Sequence, residues 1–119
     1  MTTEQPENFA PLNYVLVVAR AVTDPVASLT VAGKKRTTVD CEIPPGPEGM
    51  TACRIHVVGI GPNAEVLAGL TEGQRLKVKG RLERGTPRAD GWPSIQIHAR
   101  IIWIEPPDAA PRAIGGNAA

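Results

Sequence analysis

Between residues 13 and 105, apolar side chains recur at every second position in short runs, punctuated by Pro, Gly and Asp. Successive side chains on a strand point to opposite faces, so this period predicts strands. Residues 13–22 form the first, with Val15, Val17, Ala19 and Ala21 on one face and Tyr14, Leu16, Val18 and Val22 on the other. Apolar on both faces, it belongs in a barrel wall or beneath another subunit. Asp24-Pro25 ends it, because proline lacks a donor and pushes its predecessor out of helix. Residues 26–31 and 36–43 read as a hairpin around Ala32-Gly33-Lys34-Lys35, with Gly33 suited to a positive φ. The run 44–49 is a loop of three prolines, two glycines and Glu48. Residues 51–58 follow as a strand, with Cys53, Ile55 and Val57 inward and Arg54 and His56 outward, broken by Gly59-Ile60-Gly61-Pro62. Residues 63–70 are the one helical stretch: Asn63 as N-cap, Val66, Leu67 and Leu70 at helical spacing, Gly73 beyond its end. Residues 84–93 are a long loop, and 94–105 are the final strand. That strand places Ile95, Ile97, Ala99, Ile101 and Trp103 on one face and Gln96, His98, Arg100 and Ile102 on the other.

Between helix and long loop lies the stretch on which the functional reading turns. Arg75, Lys77, Lys79 and Arg81 alternate with Leu76, Val78, Gly80 and Leu82, which makes one face cationic and the other fit for a core. A purely cationic outer face serves either polyanion binding or plain solubility. The order strand, strand, strand, short helix, strand, strand is that of a five-stranded OB-fold barrel, all-β with one helix between strands three and four.

Composition narrows the function. The chain has 119 residues, enough for one domain. Its net charge of +1 conceals a basic middle: residues 13–104 carry 12 Lys/Arg against 8 Asp/Glu, a net of +4. This balance permits nucleic acid as a partner. Residues 1–12 and 106–119 lack periodicity and are expected to be disordered, leaving 13–105 as the domain. Nothing reads as an export signal or membrane span, so the expected location is the cytoplasm and no membrane partner is expected. Cys41 and Cys53 have no metal-ligand spacing and read as buried free thiols. Gly59-Ile60-Gly61 lacks the third glycine of a dinucleotide fingerprint. With no nucleophile–base array or paired carboxylates, no catalytic residue, metal or cofactor is expected.

Two stretches carry a more specific resemblance. Asn13-Tyr14-Val15-Leu16-Val17-Val18-Ala19-Arg20 leading to Asp24-Pro25 resembles the opening of bacterial single-stranded DNA-binding proteins. Arg54-Ile55-His56-Val57-Val58-Gly59, Ala64-Glu65-Val66-Leu67, Leu70-Thr71-Glu72-Gly73 and the cationic strand resemble that family's third strand, helix and fourth strand. The likeness covers residues 13–104 and implies an OB-fold that binds single strands. Departures limit it. The chain is 3% aromatic, with Ala52 and Val58 where the family carries a stacking Trp and another aromatic. The loop 44–50 is short, and the end lacks the acidic, Phe-terminated tip that recruits replication enzymes. Sparse aromatics with a cationic face resemble the primosomal replication protein N branch, or a phage or mobile-element version.

The resemblance implies sequence-independent binding of single-stranded DNA, or of RNA, in replication, repair or recombination, by a homo-dimer or homo-tetramer. The expected groove has Arg54, Lys77, Lys79 and Arg81 tracking phosphates. Lys34, Lys35 and Arg36 contribute from the hairpin, Arg84 and Arg88 from the long loop, His56 touches phosphate or base, and Trp92 stacks. Trp103 is expected in the core or at a subunit interface, and Tyr14 at an interface. Arg20 and Arg100 are weaker candidates, on faces that could meet a second subunit. The competing class is an OB-fold interaction module that has lost its nucleic-acid surface.

Overall fold

A computed structural model describes residues 12–106 apart from 48, 50 and 93. The expected terminal arms therefore lie, except for Leu12 and Pro106, outside the described residues. The elements run β1 (Val15–Ala21), β2 (Val26–Leu29), β3 (Lys35–Ile43), β4 (Cys53–Ile60), α1 (Pro62–Ala68), β5 (Arg75–Arg84) and β6 (Ile95–Ile104). Five of these strands close a ring in the order β1-β5-β6-β4-β3, and β3 returns to β1 through Arg20↔Glu42 and Ala21↔Cys41. The sixth strand, β2, pairs only with β3 and stands outside the ring as one arm of the hairpin. This is the expected OB-fold, with its helix between the third and fourth barrel strands.

The barrel core collects Ala19 and Ala21, Val39 and Cys41, Ile55 and Val57, Leu76 and Val78, and Ile97 and Ala99, with Leu67 and Leu70 plugging one end. Each pair is two apart on its strand, which is why alternation located the core. Gly59 lets the helix approach, since a Cβ there would meet the Asn63 carbonyl oxygen at 2.8 Å. Asn13 extends the ladder beyond β1: its side-chain amide donates to Leu82 O at 2.6 Å and accepts from Leu82 N at 2.8 Å. Asp24 accepts from the Glu72 amide at 3.1 Å and ties the Asp-Pro turn to the approach of β5.

Five expectations are corrected. Residues 59 and 60 continue β4, and residues 83 and 84 continue β5, because both are paired in the ladder. Asn63 is not the N-cap: Gly61 holds that position, and the Asn63 side chain donates to the carbonyls of Ala99 and Arg100, each at 3.1 Å. Cys53 is exposed, because it begins β4 at the barrel rim rather than lying over the core. The single apolar face of β6 is broken by a bulge: Lys79 pairs with Ile101 but Gly80 with Ala99, so Arg100 is unpaired. Past the bulge the alternation inverts. Ile102 and Ile104 turn to the core, while Ile101 and Trp103 are 43% and 45% exposed on the outer face.

Candidate nucleic-acid interface

The outer face of β5 bears the cationic row, and the ladder fixes its neighbours. Leu16, Lys79 and Ile101 lie side by side across β1, β5 and β6, as do Val18, Lys77 and Trp103. The Lys77 ammonium lies 4.9 Å from the Trp103 ring centre, and that of Lys79 lies 5.1 Å from the Tyr14 ring. These distances fall within the range of cation–π attraction. The end members of the row are paired, Arg75 with Glu105 at 3.1 Å and Arg81 with Glu83 at 3.5 Å. Among the described residues Lys77 and Lys79 have no carboxylate partner. The face is therefore cationic and apolar at once, with Tyr14, Leu16 and Val18 all more than 40% exposed.

A second group lies on the outer side of β3 and β4, beneath the long loop. The Arg88 guanidinium grips Asp40 with two bonds, at 2.7 and 3.1 Å, and also bonds Asp90. The imidazole Nδ1 of His56 lies 2.7 Å from the same Asp40 carboxylate. Burial pushes the Asp40 carboxyl up, but the bonds from Arg88 and His56 outweigh it and hold it below its ordinary value. The same desolvation, with the Asp40 charge beside it, pushes the Cys41 thiol up to about 12. Arg54 and Arg88 each lie 5.2 Å from the Trp92 ring centre.

The structure thus divides the expected groove. Arg36, His56 and Arg88 line one cleft beneath the loop, and Arg54, six residues from Arg36 along the β3–β4 ladder, meets Arg88 at the Trp92 ring. Arg81 and Arg84 lie on β5 opposite His98 and Ile95, three residues apart and so on opposite faces of the strand. Lys77 stands apart, with Lys79 between the two groups opposite Ile101: His56 is opposite Gln96 and Lys77 opposite Trp103, seven residues farther along β6. That is roughly 23 Å at about 3.3 Å per residue. Lys34 and Lys35 sit at the hairpin turn, where Lys35 bonds Glu65 at 2.8 Å. Arg88 is held by two carboxylates rather than offered to phosphate, and the Trp92 ring is packed against guanidinium groups. Trp103 is outside the core. Neither His is a bare surface group, since His98 bonds Glu83 at 2.9 Å. Arg20 faces Glu42 at 3.6 Å, and Arg100 occupies the bulge.

Sequence reasoning missed the partners of these groups. Asp40 sits among Thr38 and Glu42 on a polar face and looks solvated until the loop covers it. Tyr14 and Trp103 become companions of the lysines only through the β1–β5–β6 register and the bulge. No helix among the described residues is long and apolar enough to cross a membrane, and they contain no group of three His, Cys, Asp or Glu placed to hold a metal.

Neither a protein-family model nor a curated protein matches the chain by sequence. Solved structures do match it. The protein PriB from Ralstonia solanacearum is similar with a TM-score of 0.63 at 21% identity, over 80% of this chain and 100% of that one. The single-stranded DNA binding protein from Thermus aquaticus is similar with a TM-score of 0.61 at 23% identity, over 82% of this chain and 52% of that one. A deletion variant of the latter gives 0.62 at the same identity and coverage. This chain therefore spans about half the length of the Thermus protein. The shared property is the OB-fold barrel.

Proposed function

We propose that this chain binds single-stranded DNA without catalysis and with little regard to sequence, as a cytoplasmic accessory of replication, repair or recombination. One observation carries the reading. All three aromatic residues among those described, Tyr14, Trp92 and Trp103, stand outside the core, each with its ring beside a Lys or Arg. Single strands are held by rings that stack bases and cations that follow phosphates, and stacking contributes roughly 1–3 kcal/mol per base. This pairing of exposed rings with cations is what supports the reading. The fold shared with a protein named for single-stranded DNA binding supports the same class.

We assign two surfaces to this reading: Arg36 and Arg54 with Trp92 on the β3–β4 side, joined by Arg81 and Arg84 from β5, and Lys77 and Lys79 with Tyr14 and Trp103 on the β5 outer face; Lys34 and Lys35 extend the first, and RNA shares the chemistry. Engaging about four phosphates gives a log–log salt slope near −3, at ~0.7 per phosphate on single strands. The test is fluorescence anisotropy of labelled oligo-dT at low and moderate salt, against a duplex control. Salt-sensitive binding that prefers the single strand is the expected result, and no binding at low salt would overturn the reading.

A second reading rests on the β1–β5–β6 face. Tyr14, Leu16, Val18, Ile101 and Trp103 expose large apolar surface together, as subunit interfaces do. On this reading the face joins copies into a dimer or tetramer, and in its extreme form the barrel is an assembly module alone.

A further inference from the structure

We propose that the cleft beneath the long loop is a nucleobase pocket that prefers bases carrying an amino group beside a carbonyl, cytosine foremost, over thymine. The inference rests on the strand-binding reading and narrows it: one nucleotide is read in this cleft, while the rest of the strand is held without regard to sequence. The cleft is a cavity of about 200 Å³, lined by Arg36, Thr38, His56, Thr86, Ser94 and Gln96. That is smaller than the roughly 300–1,000 Å³ of sites for drug-sized ligands, so it admits a single small group of a strand.

Charge decides between phosphate and base. Arg88 at the wall is already neutralised by Asp40 and Asp90, leaving Arg36 as the lining cation without a carboxylate partner among the described residues. Buried Asp40 beside His56 opposes a second anion. A neutral ligand rich in hydrogen bonds fits better than a phosphate, and Ile95 at the rim gives its flat face an apolar contact.

Hydrogen-bond polarity then selects the base. The ionised Asp40 carboxylate can only accept, so the proton on Nδ1 of His56 points to it at 2.7 Å. In the neutral ring that leaves Nε2 as an acceptor. Gln96 donates its amide nitrogen to Glu83 at 3.3 Å, which turns its carbonyl oxygen toward Gly85. A Cβ on Gly85 would meet that oxygen at 2.7 Å, so the glycine keeps the space beside it open. The Gln96 carbonyl, joined by His56 Nε2 whenever the ring carries a single proton, calls for an amino group, and the Arg36 guanidinium calls for a carbonyl. Cytosine and guanine present both on one edge, thymine presents no amino group, and cytosine presents them on the smaller ring.

The test compares oligo-dC with oligo-dT of equal length at one salt concentration, and titrates ¹⁵N-labelled protein with dCMP and with dTMP. A matched base edge is worth on the order of tenfold in affinity, so the expected result is an oligo-dC preference of about that size. In Gln96→Leu and in Gly85→Ala, which displaces the Gln96 carbonyl, the dC/dT ratio should fall towards one. The dCMP titration should shift the resonances of Thr38, Gly85 and Gln96 in the wild type. Equal affinities for the two oligomers, or a preference that survives both substitutions, would overturn the pocket while leaving strand binding intact. Failure of both oligomers to bind, with dCMP still shifting those resonances, would sustain the pocket and remove the strand-binding reading. Silence in both assays would remove both.

Discussion

Lys77 and Lys79 each set a positive charge beside an exposed ring, where a phosphate and its base can be met together. Changing both to Glu reverses two charges on an outer face and touches no core side chain. The folded double variant, with an unchanged circular dichroism spectrum, should lose oligo-dT binding; wild-type affinity would clear this face of the role. Trp103→Ala and Tyr14→Ala test stacking separately, each expected to weaken binding by roughly 1–3 kcal/mol. On the other side of the barrel, Asp40 anchors the long loop. Its carboxyl is held below its ordinary value of 3.8 by Arg88 and His56 despite burial. A depressed folded-state pKa contributes stability above the unfolded value and loses it as pH falls through the folded one. Trp92 fluorescence should therefore stay constant from neutral pH down to that range and change only below it. Asp40→Asn should shrink this acid transition to the part carried by Asp90, which also holds Arg88 and the Trp92 amide and is likewise kept below its ordinary value. The two thiols differ as well: at mildly alkaline pH a thiol reagent should modify exposed Cys53 promptly and reach Cys41, buried and pushed up to about 12, only on unfolding.

At the scale of elements, the period of two located every barrel strand, because each buries one face against a shared core. It failed where two residues oppose one. Nothing in Ile97-His98-Ala99-Arg100-Ile101 announces that Arg100 is unpaired; the bulge depends on how β5 and β6 meet, a tertiary matter that local pattern does not encode. That single slip moved Trp103 and Ile101 from core to surface and so hid the ring that accompanies Lys77. Local pattern likewise gave Asn63 the role of a cap, whereas its amide spans from the helix to the bulge carbonyls of Ala99 and Arg100. The spread of the candidate residues over the barrel was illegible for the same reason, since only register shows how far Lys77 lies from His56. Asn63→Ala removes the donor from two carbonyls at the bulge and should cost about 1–3 kcal/mol in urea unfolding. Gly80→Ala should be worse, because its Cβ would run into the backbone carbonyl of His98. A wild-type midpoint in Asn63→Ala would show that the bulge holds itself.

For the whole molecule, the question is how one barrel serves two readings of its β1–β5–β6 face. The face offers large apolar side chains to another copy and two lysines with adjacent rings to a strand, and the same atoms cannot do both at once. Mass action then makes the readings separable. If copies associate through this face, sedimentation velocity should show species heavier than the 12.6 kDa chain, and their population should rise with protein concentration. Leu16→Glu places a charge in the middle of that surface without touching the core. It should return the protein to a monomer with an unchanged fold. If the strand also uses the face, saturating oligo-dT should dissociate the wild-type assembly, and apparent DNA affinity should fall as protein concentration rises. If the strand lies instead on β3, β4 and the long loop, DNA should bind assembly and Leu16→Glu monomer with equal affinity per chain. The first outcome is the expected one, because Lys77 and Lys79 with the Trp103 and Tyr14 rings offer a strand both charge and stacking on this face. The other three of its five exposed apolar residues, Leu16, Val18 and Ile101, are aliphatic and pack readily against another copy, and that contact is what the strand must displace.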